Sequence, residues 1–237
     1  MHYCGIVPVR DALQLAMVEE VRTPEPPIQL SAMFFEPGSP AQVAAELRAL
    51  GEVVVAVGGP IGPALPGRPA RAADAMLAER GVTAEPHTDA IRGLVAMLHD
   101  LLPYRGEGPG HVGAVPDGAY HHGPLFETNA DGVFCALTGH RLPARRHPLG
   151  VQLRIEELVG DSVIDEGGDL WHRRIEEIDA AACALCAHRF AVGHASWLGD
   201  PDEGVVVLPG SAIPERFRSE GVLPPVERLQ LPPVTEA

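Results

Sequence analysis

Residues 2–9 (HYCGIVPV) and 12–20 (ALQLAMVEE) are short apolar runs separated by Arg10-Asp11, the pattern of two strands joined by a turn. A proline-broken loop over 23–27 precedes a third such run at 28–35. Ser39 and Pro40 then open a helix that runs to Leu50, with Ser39 as N-cap and Pro40 at the first helical position. Residues 52–57, EVVVAV, form a continuous β-branched run, which marks a central strand buried on both faces. Beyond a Pro/Gly-rich stretch ending at residue 69, helices are predicted over 70–80 and 88–102, and residues 103–118 read as loop. A short strand ends at Glu127, and Asn129 is placed to cap a helix over 130–138. A helix over 151–159 and a late strand over 204–208 complete the body. The pattern predicts a mixed α/β domain over 1–210 with extra helices. Residues 211–237 are predicted as a Pro-rich extended tail packed on the surface.

Residues 169–187, DLWHRRIEEIDAAACALCA, carry the most chemistry. As a single helix at about 100° per residue, Asp169, His172, Glu176 and Asp179 share an arc of about 80°. Trp171, Ile175, Ile178, Ala182 and Leu185 then form the opposite, apolar face. Oxygen donors grouped in this way present ligands to a divalent cation, and a solvated acidic face is the simpler alternative.

Charge and composition narrow the function classes. All 18 basic residues are arginine, against 32 acidic ones, for a net charge of −14. Such a chain repels polyanions at long range, which disfavours nonspecific nucleic-acid binding. A local exception is the basic cluster Arg141, Arg145, Arg146, His147 and Arg154, where Arg145 and Arg146 are the candidates for a phosphate contact. Cys4, Cys135, Cys183 and Cys186 lack the spacing of a zinc set and read as core residues. No serine sits in a nucleophile elbow, and Cys183 lies in a helix interior, so covalent catalysis is the weakest class. His121-His122 reads as an exposed polar loop, and Gly58–Gly62 as a structural turn without the lysine of a phosphate-binding loop. There is no long apolar run and no charged-then-apolar leader, so a cytoplasmic protein that does not engage membranes is expected.

Several segments resemble the domain-of-unknown-function family 429, predicted nucleases of the ribonuclease-H-like superfamily. They are VVAVGGPIG at 54–62, FETNADGVFCAL at 126–137, GVQLRIEEL at 150–158, EEIDAAACAL at 176–185 and GVVVLPG at 204–210. The resemblance implies a ribonuclease-H-like fold, a mixed five-stranded sheet flanked by helices, whose acids come from the first strand, the fourth strand and a late helix. It also implies an aspartate at position 7 and another near position 58, where this chain has Val7 and Gly58. Matching acids remain at Glu127 and Asp179.

Charge decides what such a site could hold. Two divalent ions about 3.5–4 Å apart need several carboxylates to offset their repulsion. One Mg²⁺ or Mn²⁺ held by Glu127 and Asp179 is less demanding, because magnesium keeps several of its waters. Two functions follow. The favoured one is a non-catalytic binding or scaffold protein with weak or lost nuclease activity, which engages a protein partner. The alternative is a metal-dependent nuclease or phosphoesterase, in which Glu127 and Asp179 bind the metal, Glu176 or His172 moves the proton, and Arg145 or Arg146 contacts phosphate.

Overall fold

The computed structural model describes residues 1–24, 28–107 and 111–219. The three N-terminal apolar runs form an antiparallel meander of β1 (His2–Val9), β2 (Ala12–Arg22) and β3 (Ile28–Phe34). Ser39 caps α1 (Pro40–Leu50): its backbone N–H donates to Gln42 Oε1 at 2.8 Å while its hydroxyl accepts from Gln42 N. α1 delivers the chain to β4 (Val53–Gly58), which is buried at every residue and lies parallel to β1 with Ile6 opposite Val57. That placement explains the unbroken apolar run, since side chains on both faces of a central strand meet hydrocarbon.

Next come α2 (Ala72–Glu79) and α3 (Asp89–Met97), then the three-residue β5 (Val112–Ala114). β6 (Leu125–Thr128) lies parallel to β4, with Glu127 opposite Val57, and Asn129 caps α4 (Ala130–Thr138) by accepting from Gly132 N at 2.7 Å. After β7 (His140–Arg141), α5 (Pro148–Gly160) and β8 (Val163–Asp165), the chain enters α6 (Ile175–Ala191). The hairpin of β9 (Ala195–Asp200) and β10 (Gly204–Pro209) follows, and β11 (Arg218–Ser219) pairs with β7.

Among the described residues the main sheet has nine strands in the order β5-β9-β10-β6-β4-β1-β2-β3-β8, not the five that the resemblance implies; six of them coincide with the apolar runs of the sequence and three are additional. The additions have a physical explanation. β5 and β8 are three residues long, too short to show a period of two, and β9 is buried throughout and shows no alternation.

α6 lies across β1, β2 and β4 on one face of the sheet, and α1 with α3 covers the other. The α6 sequence is rich in Ala and Cys because the helix is nearly surrounded; fourteen of its seventeen residues are buried. Its closest approach is to Gly5, where a Cβ would come within 2.0 Å of Ala180 O and 2.2 Å of Ala184 N. Only glycine lets these two backbones touch.

The predicted helix over 169–187 is not continuous. Asp169 instead caps a 3₁₀ turn, Leu170–His172, by accepting from Trp171 N, and Arg173 is extended. α6 begins at Ile175, after Glu177 accepts a hydrogen bond from Arg174 N at 2.8 Å. The single acidic face therefore divides, and Trp171, assigned to an apolar back, is 52% exposed. Beyond the main body, Phe217 is buried and its N–H donates to Arg80 O, so residues 211–219 pack against the domain. The rest of the predicted tail, 220–237, lies outside the described residues.

Candidate functional site

The first strand, the fourth strand and the late helix do meet. β1 and β4 lie side by side beneath α6, so Val7, Gly58 and Asp179 line one small cavity of about 20 Å³ together with Pro8, Glu85 and Arg145. The volume is that of about one water molecule. A Cβ on Gly58 would lie 2.8 Å from Val7 Cγ1 and 3.1 Å from Cys183 Sγ, so the packed neighbours occupy the space a side chain would need. This explains why glycine and valine occur together: an apolar branch has filled the room beside the glycine.

Asp179, one turn before Cys183 on α6, is 1% exposed. Its Oδ2 is in ion-pair contact with Arg145 Nε, and no other side chain or backbone group donates to the carboxylate. Burial pushes the Asp179 carboxyl up to about 7, with the Arg145 charge opposing that rise. Half-buried Glu85 lines the same cavity; burial raises its carboxyl, Arg145 lowers it and Asp131 raises it again. The cavity thus contains two carboxylates and one guanidinium. Sequence reasoning missed Glu85, which lies in an aperiodic loop between α2 and α3 and is brought there only by the fold.

Glu127 faces away from this cavity. The flanking residues on β6 both turn toward α6: the Phe126 ring lies 4.5 Å from that of Phe190, and Thr128 Oγ1 approaches Cys186 Sγ at 3.6 Å. Strand alternation sends Glu127 to the opposite face, with Leu125. There it is 2% exposed and accepts two hydrogen bonds from Arg71 and one from Ile61 N at 3.1 Å. Arg71, equally buried, also pairs with Asp74 at 2.7 Å. Burial opposes the Arg71 charge, but its contacts with Glu127 and Asp74 outweigh that and hold it above its ordinary value. Burial also lifts the Glu127 carboxyl, and Arg71 and the Ile61 N–H pull it down. With a two-pronged contact and a backbone donor, the pair is ionised. It ties the loop after β4 to the sheet. That loop, 59–71, borders a cleft of about 590 Å³, lined by Ile61, Pro63, Pro69, Asp74, His87 and Arg92.

The remaining candidates separate. Glu176 pairs with exposed Arg146 at 3.2 Å. His172 lies on the surface beside Asp169, at 3.8 Å. His121 and His122 are exposed. The basic cluster is largely neutralised from within: Arg145 meets Asp179, Arg146 meets Glu176, and buried Arg154 binds Asp131 at 2.6 Å as well as Pro143 O and Gly150 O. Neither Arg145 nor Arg146, the phosphate candidates, is without a carboxylate partner.

The donor set does not fit a divalent metal centre. Glu127 and Asp179 lie on opposite faces of the sheet, each with its own arginine, and the position beside Asp179 holds valine and glycine. Among the described residues, no three His, Cys, Asp or Glu side chains form a group able to hold a metal ion. Among the described residues, no helix is long and apolar enough to cross a membrane.

No protein-family model matches the chain, and no curated protein matches it. Among solved structures, RuvC of Thermus thermophilus is similar with a TM-score of 0.39 and 16% identity, over 80% of this chain and 94% of that one.

Proposed function

We propose that this protein has a ribonuclease-H-like fold whose acid site no longer supports metal-dependent hydrolysis, and that it acts by binding. The observation that carries this reading is the placement of Glu127 and Asp179 on opposite faces of the sheet. A metal ion clamped between two carboxylates needs their oxygens within a few ångströms of one point, and here a strand separates them. The meeting of Val7, Gly58 and Asp179 at one cavity supports the lineage, because the resemblance expects acids from those three elements. The identities at positions 7 and 58 support the loss of activity. The 590 Å³ cleft beside the Arg71–Glu127 pair has the volume of a ligand pocket and gives the binding role a location.

The test is cleavage of single-stranded and duplex DNA, RNA and an RNA–DNA hybrid with Mg²⁺ or Mn²⁺, comparing wild type with Asp179→Asn. The expected result is no difference between the two proteins above the no-enzyme background. Turnover that requires metal and is lost in Asp179→Asn refutes the reading.

A further inference from the structure

The structure assigns Arg145 a role beyond local pairing: its guanidinium is the built-in cation of the Glu85–Asp179 cavity, and its removal creates a site for one exogenous cation. The inference rests on the non-catalytic reading above and says what keeps the acid site closed. Three observations support it. Asp179 is 1% exposed and lines the cavity, and the Arg145 guanidinium is its one contact partner there. Glu85 lines the same cavity as a second negative charge, and Asp131 is close enough to add to the field at both. Arg145 enters from a loop, with 32% of its side chain exposed, so truncation opens a route from solvent without removing a core element.

The geometry also sets the ligand class. The existing cavity holds about one water, and loss of the arginine side chain enlarges it by roughly the guanidinium itself. Free guanidinium is therefore the closest shape match, and Mn²⁺ is the small hard ion that two carboxylates can hold while its waters face the solvent side opened by the truncation.

The probes are guanidinium chloride and MnCl₂, each at about 10 mM against NaCl of equal ionic strength, with thermal unfolding as the first readout. Arg145→Ala is expected to melt below wild type and to recover part of that loss with either cation, whereas wild type shows no such recovery. Calorimetry should show saturable Mn²⁺ binding to Arg145→Ala, absent from wild type and abolished in Arg145→Ala/Asp179→Asn. Should Arg145→Ala fail to fold alone, refolding becomes the readout: soluble protein only with guanidinium or Mn²⁺ present supports the role, and failure under both conditions overturns it. A folded variant that gains neither cation overturns this inference alone. Equal Mn²⁺ affinity in wild type and variant, lost with Asp179→Asn, overturns both this inference and the non-catalytic reading.

Discussion

Replacing Glu127 by glutamine distinguishes a structural carboxylate from a metal ligand. In the folded protein Glu127 is 2% exposed and meets Arg71 through two hydrogen bonds, with the Ile61 N–H as a third. Glutamine keeps the volume and one acceptor oxygen but removes the charge, leaving a guanidinium that is 1% exposed with Asp74 as its one carboxylate partner. Breaking a buried ion pair from one side costs about 3–5 kcal/mol, and the retained Asp74 contact places this case near about 3. For a chain of this size 1 kcal/mol shifts the melting point by about 2–4 °C, so Glu127→Gln should melt roughly 6–12 °C below wild type. Urea and thermal unfolding of wild type, Glu127→Gln, Arg71→Met and the double variant measure it directly. The double variant should be more stable than the sum of the single losses implies, by at least about 1 kcal/mol. A carboxylate crowded into an empty metal site behaves in the opposite way: its neutralisation leaves the protein as stable as wild type or more so. That result would falsify the structural role.

Gly5→Ala should cost more than about 3 kcal/mol, read by urea unfolding or as loss of soluble protein, because the new methyl meets the backbone of α6 and not a movable side chain. A variant within about 1 kcal/mol of wild type would show that α6 does not sit on β1 as described. Gly58→Ala should lose about 1–3 kcal/mol by crowding Val7, and Val7→Ala in the same chain should recover part of it. Additive losses in that double-mutant cycle argue against the crowding. The pH dependence of Asp179 has a definite sign. Its folded value of about 7 lies above the ordinary aspartate value, so the native state retains a proton that the unfolded chain has released. The contribution of this group to stability is full below about pH 4 and declines as pH rises to about 7, after which it is level. Stability of wild type relative to Asp179→Asn, measured by urea unfolding from pH 4 to 8, should follow that decline; a flat difference contradicts the assignment.

The elements with strong local signals were legible in the sequence. Ser39-Pro40 and Asn129 announced helix starts through capping chemistry that forms as expected, and EVVVAV announced a central strand. The sheet edges were not legible, because three-residue strands contain less than two full pleat periods. The acidic helix shows where periodicity misleads. The spacing of Asp169, His172, Glu176 and Asp179 fits one helix, yet Asp169 bonds its own turn and Arg173 is extended before α6 begins.

At the site, the family resemblance singled out positions 7, 58, 127 and 179, and Val7, Gly58 and Asp179 line one cavity while Glu127 does not. The side on which Glu127 points depends on a one-residue strand register, which no composition or spacing encodes. Arg71 and Glu85 were missed for a related reason. One lies 56 residues from its partner and the other is in an irregular loop, so only the folded chain reveals their pairing.

Titration of the wild-type protein with Mn²⁺ in a calorimeter, at an ionic strength that masks diffuse surface binding, addresses the central point most directly. With Asp179 held by Arg145 and Glu127 turned to the far side of the sheet, no saturable heat should appear, and Asp179→Asn and Glu127→Gln should give the same featureless trace. One saturating ion per chain, lost in both variants, would mean that those two carboxylates share a metal after all.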